Sequence, residues 1–182
     1  MVVPVAPEAS AGEITIIVDV ANVMGARPDG WWRDRAGAAL RLCREVAALA
    51  RGGLARSDLP PSAIARAEAE VPGASASERL APGWVLVLEG RARQAADFLQ
   101  IEAASCGSPH YLVDSERLVQ FVLATGSGDD AIVDQARGLP GCAIVVTADR
   151  ELRRRCEQAG AVTVGSGWLL RLLQSRNIGD VD

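Results

Sequence analysis

Residues 143–175, AIVVTADRELRRRCEQAGAVTVGSGWLLRLLQS, decide the fold. AIVV (143–146) and AVTVG (161–165) are short, β-branched and free of charge, as strands buried on both faces are. Between them Asp149–Gln158 reads as a helix that Gly160 stops, and Gly167–Ser175 reads as a second helix after the second strand. Strand–helix–strand–helix alternation with continuous apolar strands means parallel strands joined by right-handed crossovers. The expected class is α/β: a three-layer α/β/α, doubly wound, mostly parallel sheet.

Working outward, ITIIVDV (14–20) is an unbroken β-branched run and the expected first central strand. From Arg33 to Leu49 the apolar residues fall at helical spacing until Gly52-Gly53, which predicts one long helix after that strand. Residues 52–83 shift to Ala, Pro, Ser and Gly and read as a loop-rich excursion with a short helix from Ser62 to Glu70. WVLVLE (84–89) is the second strand, followed by a helix over Ala92–Ala104; HYLVD (110–114) is a short strand or turn. LVQFVLA (118–124) is the third strand, and the GSG after it turns the chain into a helix beginning near Asp129. One domain over 14–175 is expected, with a flexible segment 1–13 and a tail 176–182.

Composition removes several classes of chemistry. The chain has 182 residues, 49% of them hydrophobic, which suits one globular domain. All 19 basic residues are Arg, so Schiff-base and P-loop chemistry, both dependent on Lys, have no residue to use. Cys43, Cys106, Cys142 and Cys156 show no CxxC spacing, and His110 is the one histidine, in a loop-like GSPHY with no nucleophile motif nearby. Packed, reduced thiols are expected rather than a zinc site. A net charge of −4 supplies no basic field to hold nucleic acid by charge alone, so any such contact is local or metal-assisted. No run reaches the length of a membrane span and the opening MVVPVAPEASAG lacks a signal-like pattern; a cytoplasmic protein without membrane contact is expected.

Four β-like runs end in carboxylates: ITIIVDVANV at Asp19, WVLVLEGRAR at Glu89, QFVLATGSGDD at Asp129 and Asp130, and AIVVTADREL at Asp149. In an open parallel sheet the carboxyl ends of the strands share one edge, where ligands bind, so these acids are expected to converge there. Clustered like charges oppose each other's ionisation unless a hard cation such as Mg²⁺ or Mn²⁺ offsets the repulsion. Each acid also has a bland reading. Asp19 suits an Asx-turn, Asp129 and Asp130 suit a helix first turn, Asp149 or Thr147 suits a helix cap, and Glu89 suits a surface pair with Arg91 or Arg93. Four coincidences at one edge are a poorer account than one site. Asp130 is expected as the inner ligand, with Asp129 nearer solvent.

Arg33, Arg35, Arg91, Arg93 and Arg150 flank these acids in sequence, and a guanidinium fork matches phosphate oxygens at two points. Arg153, Arg154 and Arg155 read as helix solubilisation. Trp31 and Trp32 suit base stacking or anchorage of the long helix equally.

In their order, VDVANVMG…WWRDRAGAALRL, VLVLEGRAR, GSGDDAIV and VVTADREL resemble a NYN domain of the PIN-like nuclease superfamily over about residues 14–172. The resemblance implies a metal-dependent ribonuclease-like fold. Asp19, Asp129 or Asp130, and Asp149 would bind one or two divalent cations, with Asn22 matching the Asn of a DxxN opening motif and Glu89 an additional acid. Three functions follow as expectations. The first is an RNase cutting single-stranded RNA with Mg²⁺ or Mn²⁺. The second is a nucleotide pyrophosphohydrolase using the same metal site in a pocket closed by 52–83. The third is a non-catalytic module binding RNA or a protein partner. Homo-oligomerisation is compatible with each.

Overall fold

The computed structural model describes residues 13–73, 76–103, 111–113 and 119–179. The readings made for residues 1–12, Cys106, His110 and 180–182 lie outside them. Among the described residues eight strands and seven α-helices follow in the order β1 (Ile14–Asp19), α1 (Val20–Gly25), α2 (Arg35–Gly52), β2 (Leu54–Ala55), α3 (Pro61–Glu70), β3 (Arg79–Leu80), β4 (Gly83–Leu88), α4 (Ala95–Ala103), β5 (Tyr111–Val113), β6 (Val119–Leu123), α5 (Gly128–Gly138), β7 (Cys142–Val146), α6 (Arg150–Gln158), β8 (Val162–Val164) and α7 (Ser166–Gly179). Short 3₁₀ turns occupy Arg56–Asp58 and Gly90–Gln94.

The main sheet runs β5-β6-β4-β1-β7-β8, with β6, β4, β1, β7 and β8 mutually parallel and β5 antiparallel on the edge. Successive parallel strands are laid outward from β1 through β4 to β6. The chain then returns to the other side of β1 for β7 and β8, so the strand order reverses between β1 and β7. That reversal leaves a crevice at the carboxyl ends of β1 and β7, which is where ligands settle in open α/β sheets.

Period-two alternation along the buried strands divides the core between two faces. Ile14, Ile16 and Val18 with Trp84, Leu86 and Ile144 face Leu42, Val46 and Leu169; Ile17 with Val85, Val87 and Val145 faces Ile132, Val133 and Leu152. Helices α1, α2, α3, α4 and α7 thus cover one face and α5 and α6 the other, which is the expected three-layer α/β/α arrangement. Cys43, Cys142 and Cys156 are free and buried, and burial pushes the Cys43 thiol up to about 12. No helix among the described residues is long and apolar enough to cross a membrane.

The long helix expected over Arg33–Leu49 is α2; ahead of it stands α1, which the sequence reading did not include, a six-residue helix that Asp19 caps by accepting from the Asn22 N–H. Arg27-Pro28-Asp29-Gly30 then turns the chain, and α2 starts afresh at Asp34, whose side chain accepts from the Gly37 N–H. Residues 52–83 are more ordered than a loop-rich excursion. β2 and β3 form a two-stranded ladder, α3 spans the expected helix, and Leu54, Leu59, Ala63, Ile64 and Ala67 are buried in the main core. Gly53 makes the turn into β2 possible: its φ is +64°, and a Cβ there would stand 2.7 Å from the Leu80 carbonyl oxygen. At the end of the chain α7 continues to Gly179, beyond the boundary expected at Ser175.

Candidate functional site at the carboxyl edge

Asp19 is the last residue of β1 and is almost fully buried. Its Oδ1 accepts from the Asn22 N–H at 3.0 Å and its Oδ2 from the Thr147 hydroxyl at 2.9 Å, which ties the ends of β1 and β7 across the crevice. Burial pushes the Asp19 carboxyl above the usual carboxylate range. The two donors from Asn22 and Thr147 oppose that shift, and the charges of Asp129 and Glu89 add to it.

Asn22 lies on α1 and turns its carbonyl oxygen toward β7, accepting from the Ala148 N–H at 2.8 Å and from the Ser166 hydroxyl. It therefore joins α1, the end of β7 and the start of α7 rather than offering that oxygen to a substrate. Thr147, fully buried, donates to Asp19 and accepts from the Asp149 N–H at 3.2 Å. Asp149 caps α6 through Oδ1, which accepts from the Leu152 N–H at 2.8 Å. The capping readings of Asp19 and Asp149 are thus correct as far as one oxygen of each is concerned.

Glu89 follows β4 directly, and its Oε2 accepts from the Gly128 N–H at the start of α5 at 2.9 Å. Asp129, half-buried in the first turn of α5, has no hydrogen bond on its carboxylate among the described residues. Burial raises its proton affinity, Asp149 and Glu89 raise it further, Arg155 lowers it, and Asp130 adds a smaller push upward. Asp130 points elsewhere: it is exposed and paired with Arg155 at 2.5 Å. The order expected for the tandem acids is reversed, because Asp129 faces the other carboxylates and Asp130 faces solvent and α6. Asp134 is exposed too, beside Arg137.

Asp129 and Glu89 thus act electrostatically on Asp19, and Asp149 and Glu89 on Asp129. Among the described residues no three acidic, thiol or imidazole groups are drawn close enough to form a finished cation cage. The donors are nonetheless all oxygens, with no nitrogen or sulfur among them, and the repulsion that adds to burial in raising Asp19 and Asp129 is what a hard cation would relieve. That donor set fits Mg²⁺ or Mn²⁺.

Arg33, Arg91 and Arg150 are exposed and Arg93 is half-exposed, none with a carboxylate partner among the described residues. Arg91 and Arg93 lie in the 3₁₀ turn after Glu89, and Arg150 is the first residue of α6. Arg35 instead lies over the Trp31 ring, its guanidinium carbon 5.2 Å from the centroid. Arg154 pairs with Glu151 and Arg153 bonds Thr163, in keeping with a solvated helix face, but Arg155 acts on the acids. Sequence reasoning thus left out Thr147 as a tether of Asp19, Ser166 and Arg155. Thr147 had a signal, a hydroxyl one residue past a buried strand at the expected binding edge.

Comparison with known proteins finds no matching family model, no matching curated protein and no matching solved structure.

Proposed function

We propose that the protein is a metal-dependent hydrolase of the phosphodiester bonds of single-stranded RNA, working at the carboxyl edge of β1, β4, β6 and β7. The observation that carries this reading is the mutual action of acids from different strand ends: Asp129 and Glu89 on Asp19, and Asp149 and Glu89 on Asp129. Acids that perturb one another at the switch point of an open α/β sheet make that edge the candidate site.

Asp19, Asp129 and Asp149 would hold Mg²⁺ or Mn²⁺, which when bound supplies a water of lowered pKa and charge stabilisation at phosphorus. Glu89 has no partner on Oε1 among the described residues while Oε2 is fixed by Gly128, so it would accept a proton from an attacking water. Thr147 orients Asp19, and Asn22 holds the β7 end in register with α1. Arg33, Arg91, Arg93 and Arg150 bring guanidinium groups to the same edge, where they would hold phosphate oxygens. A cytoplasmic setting agrees with the three unbridged thiols.

Residues 52–83 distinguish this reading from a nucleotide pyrophosphohydrolase. Their hydrogen bonds run to the end of α2 and to α7, through Arg79 onto the Gly52 and Gly53 carbonyls and Trp168 onto the Asp58 carbonyl. None of these bonds reaches the four acids, which favours an open edge, and so a polymer, over a small nucleotide. The test is cleavage of a fluorescent single-stranded RNA with and without Mn²⁺. Metal-dependent cutting lost in Asp129→Asn supports the reading; an uncut RNA with Mn²⁺ saturating rejects it in favour of a non-catalytic module.

A further inference from the structure

Trp32 is 60% exposed, the largest apolar side chain left open among the described residues, and the proposed chemistry does not use it. Single exposed apolar residues are ordinary on protein surfaces, but this one is held in place. Its ring meets Trp31 edge to face, with centroids 6.2 Å apart and planes at 84°. Trp31 is itself fixed: it packs against the core, its ring lies 3.8 Å from where a Cβ on Gly25 would stand, and it carries Arg35 over its ring. The surrounding turn is pinned by Arg27 to Glu45 and by the Trp31 N–H donating to Asp29 at 3.1 Å.

The position of the pair relative to the acids follows from helix direction. Ser166, at the start of α7, bonds Asn22 at the carboxyl edge, and Arg176, near the end of α7, bonds the Ala48 carbonyl near the end of α2. The end of α2 thus lies at the amino edge of the sheet, and its start, with Trp31, Trp32 and Arg33, lies at the carboxyl edge with the acids. The six-residue α1 that separates Asp19 from this turn spans about 9 Å. Next to Trp32 stands Arg33, exposed and without a carboxylate partner among the described residues.

A preorganised, exposed indole beside a free guanidinium, close to the acidic edge, matches one kind of ligand: an unpaired nucleobase on a phosphodiester chain. Resting on the nuclease reading, we propose that Trp32 stacks one base of single-stranded RNA and so selects unpaired over duplex substrate. A paired base already has neighbours on both faces and offers none to the indole.

The experiment measures binding of dye-labelled oligoadenylate by anisotropy in EDTA, and quenching of intrinsic tryptophan fluorescence by the unlabelled strand. It compares wild type, Trp32→Ala and Trp32→Phe, with a duplex RNA of the same length as competitor. Trp84 is buried and Trp168 is engaged with Asp58, so quenching reports mainly on the Trp31–Trp32 pair, and its loss in Trp32→Ala assigns it to the exposed indole. The expected result is quenching in wild type, affinity about 5- to 150-fold weaker with little quenching in Trp32→Ala, recovery in Trp32→Phe, and poor competition by duplex. Equal affinity of wild type and Trp32→Ala overturns the stacking role while leaving the nuclease reading standing. No binding of oligoadenylate by wild type overturns the stacking role and leaves the nuclease reading to the cleavage assay, and binding weakened by Trp32→Ala without any metal-dependent cutting removes the nuclease reading alone.

Discussion

Glu89 and Gly128, 39 residues apart, are joined by a 2.9 Å hydrogen bond from the first N–H of α5 to the Glu89 carboxylate. The bond depends on the glycine, since a Cβ at position 128 would stand 2.4 Å from Glu89 Oε2. The acid after β4 is thereby set by the turn after β6, and the helix N-terminus favours its negative charge.

Gly128→Ala therefore tests position rather than identity at Glu89. The obstructed atom is the end of a flexible side chain, so Glu89 swings away and the fold survives. The expected outcome is a melting temperature near that of wild type with metal-dependent RNA cleavage reduced about 10- to 100-fold, as for loss of other supporting interactions around metal sites. Thermal melting and the cleavage assay on the same sample check both halves.

Thr147→Val removes a donor from a buried carboxylate and keeps the shape. It leaves Asp19 Oδ2 unsatisfied, at a cost of about 1–3 kcal/mol measured by urea unfolding at neutral pH. Thr147→Ser, which restores the hydroxyl, is expected to recover most of that loss.

The pH dependence follows from the sign of the shifts. Asp19 and Asp129 both have folded-state pKa values raised above their unfolded values. A raised carboxyl favours the native state when protonated, so its contribution is complete below the unfolded pKa and is lost as pH rises through the folded pKa. Asp129→Asn, whose carboxylate has no hydrogen bond among the described residues, is accordingly expected to raise the melting temperature at pH 7, with a smaller difference from wild type near pH 4. Differential scanning calorimetry at the two pH values checks this; a lowered melting temperature in Asp129→Asn at pH 7 would contradict the assigned repulsion.

How much of this was legible beforehand varied with the kind of residue. The five parallel strands were readable because strands such as Ile14–Asp19 and Cys142–Val146 are buried on both faces and carry no charge until their ends. Helix α1 was not, since Val20–Gly25 is a single-turn-scale element whose cap is the last residue of the preceding strand, and both sequence signals belong to β1. The ranking of Asp129 and Asp130 failed for a geometric reason: consecutive helical residues point about 100° apart, and the rotation of α5 decides which faces in. A signal existed in the spacing. Ile132, Val133 and Ala136, the buried residues of α5, stand three, four and seven positions after Asp129, whereas Asp130 shares its face with exposed Asp134 and Arg137. The partners of Asn22 and Arg155 were beyond reach of the sequence, because Ser166 and Asp130 meet them only once the sheet is assembled.

Arg155→Gln isolates the effect of a cation that lowers the proton affinity of Asp129. Its guanidinium is solvent-facing and paired to an exposed acid, so the fold is expected to keep its stability within about 0.5 kcal/mol. Asp129 becomes easier to protonate, and the acidic limb of the cleavage–pH profile is expected to move to higher pH.

The central claim is that Asp129, with Asp19 and Asp149, gathers a divalent cation at the carboxyl edge while Asp130 does not. Calorimetric titration of Mn²⁺ into wild type, Asp129→Asn and Asp130→Asn tests it most directly. The account predicts a saturable heat in wild type and in Asp130→Asn and its loss in Asp129→Asn. Binding that survives Asp129→Asn but not Asp130→Asn, or no binding by wild type at millimolar Mn²⁺, would contradict it.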